Sequence, residues 1–236
     1  MILVILFIGC ITLSGQVITK EHEGWTEKAD FLHFRNAMEK ELYSKEDLYR
    51  NIEGSPFLNN NFADGVLITN DSIMYENVPL RYNIFKDEME FLITPDDGPR
   101  IIGNPRNFLY FILDDRLFAY KAFMEKDRPV YKYFEIVRTG KCQVLKRKNV
   151  VYVEPQQSRG IVGSSPAKFE ERRDSYYLQF GTLSPVEVNL RRRSILDAFD
   201  QKRDEIAAFV NDNNLSYRNP DDLIKMAEYY NRLYED

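Results

Sequence analysis

The hydrophobic positions of the chain follow three successive patterns. Residues 1–15 form a nearly continuous apolar run without a charged side chain. Residues 25–51 carry apolar side chains at spacings of three and four, which is typical of an amphipathic helix. Between residues 54 and 190 apolar and polar residues mostly alternate, as in half-buried strands. Helical spacing returns after residue 190, so the sequence predicts helices on both sides of a β region.

These patterns divide the chain into four parts. They are a signal peptide at 1–15, an N-terminal helical segment at 16–53, an antiparallel β domain at 54–190, and C-terminal helices at 191–236 packed on the β domain. The predicted fold class is α+β. We expect an antiparallel sheet of about eight to ten strands that curls into a barrel-like or sandwich form.

The clearest predicted hairpin spans residues 79–93. A two-residue loop at Lys86-Asp87 would place the apolar residues opposite each other, as Ile84 with Met89, Tyr82 with Phe91 and Leu80 with Ile93. Arg81 would then lie diagonal to Glu90 on the other face, as a structural polar pair. A one-residue slip would turn the apolar set outward. Because Lys-Asp is not a preferred turn pair, a longer loop is the alternative.

Turn residues and caps locate the other elements. Asn70-Asp71 and Asp114-Asp115 are predicted tight turns, and Asn219-Pro220 is a predicted helix start with Asn as the cap. The segment 156–168 contains Gly, Pro and Ser and is predicted to be an exposed loop. Further strands are predicted at 65–69, 72–75, 100–102, 108–113, 117–123, 131–137, 141–145, 150–153, 175–180 and 186–190.

The first fifteen residues are typical of an export signal. The apolar run is about a dozen residues long, whereas a membrane-spanning helix needs ~20. Cleavage after Leu13-Ser14-Gly15 would leave Gln16 as the N-terminus. No Lys or Arg precedes the run, so either the true start lies upstream or the α-amino group supplies the only positive charge. A buried N-terminal strand is a further alternative, and so is a lipid anchor at Cys10, which follows Gly9. We therefore expect an exported protein of the periplasm, cell envelope or extracellular space, with no transmembrane span after cleavage.

Charge and cysteine content narrow the possible partners. The net charge is −5, which disfavours nucleic acid as a partner. The cysteines are Cys10 and Cys142, so loss of the signal peptide would leave a chain that cannot form an internal disulfide. Cys142 lies in a strand-like segment, and we expect a buried structural thiol.

No motif for catalysis, cofactor binding or a metal centre stands out. The two histidines, His22 and His33, lack metal-ligand spacing, and no nucleophile elbow, Walker loop or dinucleotide fingerprint is present. We predict no cofactor and no metal. The acidic doublets at 87–88, 96–97 and 114–115 are interpreted as solvated turns, because neighbours on a strand point to opposite faces.

The densest basic run is Arg191-Arg192-Arg193, at a predicted strand-to-helix junction. It is the candidate contact for an anion or an acidic partner. The flanking acids Asp197, Asp200, Asp204 and Glu205 are expected to neutralise it locally.

A series of short motifs resembles a family of uncharacterised secreted proteins of Bacteroidota. The motifs are GSPFL at 54–58, PLRYN at 79–83, DEMEF at 87–91, YFE at 133–135, GK at 140–141, LK at 145–146, SYY at 175–177 and DL at 222–223. The resemblance implies export and a β-rich domain with C-terminal helices. It implies no activity and no functional residue.

Three functions are compatible with the sequence. The leading hypothesis is a non-enzymatic envelope protein that acts as an interaction or structural module for an unknown envelope protein. The second is a barrel-like protein that binds a small apolar or glycan ligand in a cavity lined by Phe and Tyr. The third is a hydrolase whose paired carboxylates come from different strands.

Overall fold

The computed structural model describes residues 18–21, 41–43, 49, 51–93, 98–156 and 165–234. The predicted signal peptide, Cys10, both histidines and the acidic doublet at 96–97 lie outside these residues. So does most of the predicted loop at 156–168.

In the described residues, twelve strands form one sheet, mostly antiparallel. The strands are β1 Ile18–Glu21, β2 Glu41–Tyr43, β3 Ala63–Thr69, β4 Ile73–Asn83, β5 Glu88–Phe91, β6 Arg100–Ile102, β7 Phe108–Leu113, β8 Arg116–Glu125, β9 Arg128–Arg138, β10 Cys142–Val153, β11 Lys168–Phe180 and β12 Val186–Val188. Their order is β12-β11-β10-β9-β8-β7-β3-β4-β5-β6-β2, and β1 pairs in parallel with the first part of β4. The sheet curls into a half-barrel, and three helices follow it, which confirms the α+β fold class.

The helices near the C-terminus are α1 Arg192–Phe199, α2 Arg203–Asp212 and α3 Pro220–Arg232. Helix α3 begins as predicted, because the Asn219 side chain accepts a hydrogen bond from the backbone N–H of Asp221 at 3.1 Å. Ile195, Leu196 and Leu223 pack with Val144 of β10 in one buried cluster. The helices therefore cover one face of the sheet at its β10–β12 end.

The predicted helix at 25–51 lies mostly outside the described residues. Among its described residues, Glu41–Tyr43 form β2, a strand that pairs antiparallel with β6, so the helix prediction is wrong at these three positions. The spacing of apolar residues cannot show that β6 is available for pairing. Backbone pairing with β6 makes Glu41–Tyr43 a strand despite the helical pattern. Two other predictions divided long strands. β4 runs through Pro79 without a break, and β10 joins the predicted strands at 141–145 and 150–153.

The β4–β5 hairpin has the predicted faces but different partners. Leu80 is opposite Phe91, Tyr82 is opposite Met89, and Arg81 is directly opposite Glu90. The loop contains four residues, 84–87, as the longer-loop alternative requires. Because the register differs from the two-residue-loop prediction by two positions, each side chain keeps its face and only its cross-strand partner changes.

The inside of the half-barrel is filled by side chains. The ring of Tyr82 lies 5.6 Å from the rings of Phe118 and Tyr133, which belong to strands far from β4 in the sheet order. Rings from distant strands can meet only on the concave side. Phe91 and Phe111 complete the same cluster and are fully buried.

A buried ion pair lies between β4 and β5. Nε and Nη2 of Arg81 donate to Oε2 of Glu90 at 3.0 and 2.7 Å, and the two side chains are 3% and 0% exposed. The guanidinium carbon also lies 3.9 Å from the ring centroid of Phe57 and 4.3 Å from that of Phe62. Nη1 of Arg81 donates to the carbonyl oxygen of Asn60 at 3.1 Å. The pair therefore attaches the segment 57–62 to the sheet.

The chain from residue 53 to residue 62 connects the two sides of the curled sheet. Phe57 forms a bridge with Asn83 at the end of β4, and Glu53 forms a parallel bridge with Lys168 at the start of β11. Gly54 lies between them with φ of 78°, and an added Cβ would be 2.4 Å from the carbonyl oxygen of Phe169. Only glycine fits at this approach of two backbones.

We expect Glu90→Gln to lower the free energy of unfolding by about 3 kcal/mol or more, because it removes the charge that compensates a buried guanidinium. The double variant Arg81→Met/Glu90→Leu should recover much of this loss, because it removes the buried guanidinium together with the buried carboxylate. Urea unfolding followed by circular dichroism measures both.

Glu205→Gln is the matched control, because Glu205 pairs with Lys202 at the surface at 2.9 Å. It should change stability little. Equal losses from Glu90→Gln and Glu205→Gln would contradict the importance assigned to the buried pair.

Candidate anion-binding cleft

A basic cleft lies where β12 passes into α1. It has a volume of ≈ 710 Å³ and is lined by Arg191, Arg192, Arg193, Leu215, Ser216, Tyr217 and Arg218. We call this set the arginine cleft. The predicted candidate residues Arg191, Arg192 and Arg193 thus lie together, and the fold adds Arg218 from the loop between α2 and α3.

Helix geometry distributes the basic run around the start of α1. Ile195 and Leu196 are buried against the sheet, and Arg192 lies one turn before them, at the edge of that buried face. Arg193 points away and pairs with Asp197 one turn later, with its Nε 3.6 Å from Oδ2. Arg192 therefore faces the α2–α3 loop, whereas Arg193 lies at the solvent side of the cleft.

Three of the four arginines are not neutralised by an acidic side chain of the described residues. Among the described residues, no carboxylate lies within ion-pair distance of Arg191, Arg192 or Arg218. All three side chains are exposed. Of the acids expected to neutralise the run, Asp197 pairs with Arg193 and also with Arg203, and Glu205 pairs with Lys202. The expected neutralisation is thus observed for Arg193 only.

The wall formed by the α2–α3 loop is held by hydrogen bonds. The buried carboxylate of Asp222 accepts from the backbone N–H of Ser216 at 2.9 Å, and it also pairs with Lys225 at 2.8 Å. The Ser216 hydroxyl oxygen accepts from the backbone N–H of Arg218 at 3.2 Å. These contacts fix the position from which Arg218 extends into the cleft.

The start of α1 adds to the positive potential. The side chain of Arg191, at the N-cap position, makes no capping hydrogen bond. The first backbone N–H groups of a helix have no intrahelical acceptor, and the helix dipole favours an anion there. The effect supplements the arginine charges.

A neighbouring cleft of ≈ 490 Å³ shares Arg191 and Arg193 but also contains Glu187 and Asp197. The acids in this second cleft offset its positive charge. The arginine cleft, by contrast, is lined by four cations and no acid. An anionic group is therefore favoured on the Arg218 side of the basic run.

The other predicted polar residues have structural positions. Arg81 and Glu90 form the buried pair described above. Asp114 and Asp115 form the turn between β7 and β8 with positive φ, as their interpretation as a turn predicts.

Asp87 is bound within the fold rather than solvated as predicted. Its carboxylate accepts from the hydroxyl of Tyr82 at 2.6 Å and from the backbone N–H of Tyr133 at 3.3 Å, and it lies 3.6 Å from Nη2 of Arg147. Its neighbour Glu88 is partly buried, which raises the pKa of its carboxyl group. The solvated-turn interpretation is therefore wrong for this doublet. The reason is that β9 and β10 separate near Tyr133, and Asp87 occupies the opening.

Cys142 is a buried free thiol, as predicted. Burial raises its pKa to about 12, so the thiol is protonated at neutral pH. The backbone of Cys142 is fixed by Asn231 of α3, whose Oδ1 accepts from its N–H at 2.7 Å and whose Nδ2 donates to its carbonyl at 3.1 Å. Its role is to pack the helices onto the sheet.

Sequence reasoning missed Arg218. The residue is isolated in the sequence and lies well beyond the basic run. Only the packing of α1 and α3 on the same sheet face brings it beside Arg192. The local signal nearest to Arg218 is the helix cap at Asn219. The cap shows that a loop ends at this residue, but it does not show which residues the loop contacts.

Comparisons with known proteins suggest no function, so the functional proposal is based on the geometry of the site. The chain matches no protein-family model, no curated protein and no solved structure. Within the residues that the structure describes, no group of three His, Cys, Asp or Glu side chains could hold a metal ion. No helix in that same part of the chain is long and apolar enough to cross a membrane.

Proposed function

We propose that this protein is an exported, non-enzymatic envelope protein that works as an interaction module. Its binding surface is the arginine cleft, and the group that it binds is an acidic side chain or cluster on a partner protein of the envelope. The observation that carries the proposal is the absence of a carboxylate partner for Arg191, Arg192 and Arg218 among the described residues.

The chemistry of the cleft supports an acidic partner. A guanidinium group is planar and always charged, and it binds a carboxylate through two parallel hydrogen bonds. Four guanidinium groups around one space also repel each other, and a bound anion relieves that repulsion. Because the whole chain has a net charge of −5, this cleft differs in sign from the protein as a whole. It would therefore orient an acidic partner during association.

The other two hypotheses have less support. A ligand inside the half-barrel needs empty space there, whereas Tyr82, Phe91 and Phe111 fill that region in the described structure. A carboxylate hydrolase needs two available acids that the fold brings together from different strands. Glu90 is paired with Arg81, and Asp87 is bound by Tyr82 and Arg147.

Charge removal in the cleft tests the interaction. A C-terminally tagged chain is crosslinked mildly in its native host and purified, and the proteins recovered with it are identified by mass spectrometry. We expect an acidic envelope protein to be recovered with the wild-type chain and lost with Arg192→Gln/Arg218→Gln. With the purified partner, the double variant should bind about tenfold more weakly or worse, because two charge-assisted contacts are removed.

Arg173→Gln is the matched control, since Arg173 is an exposed arginine of β11 outside the cleft. It should recover the same partner as the wild-type chain. Recovery of an identical set of proteins by the double variant would show that the arginine cleft is not the binding surface.

Export is tested separately on the mature chain. Mass spectrometry of the protein purified from the envelope fraction of its host should show an N-terminus at Gln16, because the apolar run ends in small residues suited to cleavage. A mature chain that begins at Met1 would contradict the export proposal, and one that begins at a lipid-modified Cys10 would replace cleavage at Gln16 with a lipid anchor.

A further inference from the structure

A third cleft lies on the face of the sheet opposite the Tyr82 cluster, apart from the arginine cleft. It has a volume of ≈ 450 Å³, within the usual range for sites that hold small molecules. Its walls come from the end of the β8–β9 hairpin and from the loop between β11 and β12. Its lining includes Lys121, Phe123, Met124, Pro129, Gln179 and Leu183. We call this set the lysine cleft.

The orientation of Lys121 follows from its strand. Tyr120 contacts Tyr133 inside the half-barrel, with ring centroids 4.8 Å apart. Successive side chains of a strand point to opposite faces, so Lys121 points to the other face of the sheet, where Phe123 contacts Tyr177 of β11 with ring centroids 5.6 Å apart. Lys132 is its cross-strand partner and points the same way.

Lys121 lacks a counter-ion. No carboxylate lies within ion-pair distance of its amine among the residues that the structure describes, and its side chain is half-buried. Burial alone lowers the pKa of this amine. Its cross-strand neighbour Lys132 carries the same charge and lies 4.0 Å from Asp87. Two lysines opposite each other destabilise a strand pair, and an anion beside Lys121 would offset that cost.

The remainder of the cleft is largely apolar. Phe123 is buried at its base, whereas Leu183 is 67% exposed at its rim. Exposed apolar side chains around a concave surface favour a ligand that covers them. A single cation beside such a surface matches a molecule with one anionic end and an apolar body.

We propose that the lysine cleft binds a small amphiphilic carboxylate, whose carboxylate group pairs with the amine of Lys121 and whose hydrocarbon part covers Leu183 and Phe123. This ligand differs from the acidic protein group proposed for the arginine cleft, because the lysine cleft offers one cation and a mainly apolar wall. The two proposed sites can therefore be tested independently of each other.

The probes are decanoate and decanol, which share a hydrocarbon chain and differ in the charged end. Binding to the purified wild-type chain is measured by isothermal titration calorimetry below the concentrations at which the probes aggregate. We expect decanoate to bind, and Lys121→Gln to weaken its binding tenfold or more while leaving decanol binding unchanged. Leu183→Ser should weaken the binding of both probes, because it removes apolar surface at the rim.

Lys126→Gln provides the matched control, since Lys126 is an exposed lysine at the turn of the same hairpin and does not line the cleft. It should bind decanoate as the wild-type chain does, and so should Arg192→Gln/Arg218→Gln. The proposal is overturned if decanoate does not bind the wild-type chain, if Lys121→Gln binds it equally well, or if the arginine double variant loses it. Circular dichroism of each variant confirms that it is folded.

Discussion

The buried guanidinium of Arg81 is the constraint on which the closure of this fold depends. A charge at 3% exposure must be compensated, and Glu90 supplies the compensating charge from the neighbouring strand at 2.7 Å. The same guanidinium lies against two aromatic rings and a backbone carbonyl of the segment 57–62. One side chain thus fixes the β4–β5 register and attaches the chain segment 53–62, which bridges β4 to β11. Without Arg81, the connection between the two sides of the curled sheet would depend on the backbone bridges at Glu53 and Phe57. These isolated bridges form a weaker connection.

The filled half-barrel determines where binding surfaces can form. Its inside is filled by aromatic side chains, so the open spaces described here lie at the ends of strands and between loops. Strand β12 has three residues, and the chain turns directly from it into α1, which places three arginines at the turn. Helix α3 is fastened to Cys142 by Asn231, and its start carries Arg218 into the same cleft. Both clefts thus combine parts that are distant in sequence, on a scaffold whose core is not available to a ligand.

Much of the fold could be predicted from the sequence, because alternation and turn chemistry are local signals. The turns at Asn70-Asp71 and Asp114-Asp115, the strand at Phe108–Leu113 and the cap at Asn219 follow from such signals. The exact partners in the β4–β5 hairpin did not follow, because a two-residue shift leaves the apolar face unchanged and only the loop length distinguishes the registers. Arg218 and Lys121 could not be recognised either. Each is a candidate binding residue because no carboxylate of the described residues lies within ion-pair distance of it. The tertiary structure determines that distance, so the local sequence does not show it.

The most direct measurement is an NMR titration of the isotope-labelled protein with hexaglutamate, an acidic peptide that stands in for the partner's acidic group. With the arginine cleft as the binding surface, the backbone amide shifts should cluster at residues 191–194 and 215–218, and they should diminish as salt screens the charges. Shifts distributed over basic residues across the whole surface, or confined to residues away from the cleft, would contradict the assignment of an acidic partner to these arginines.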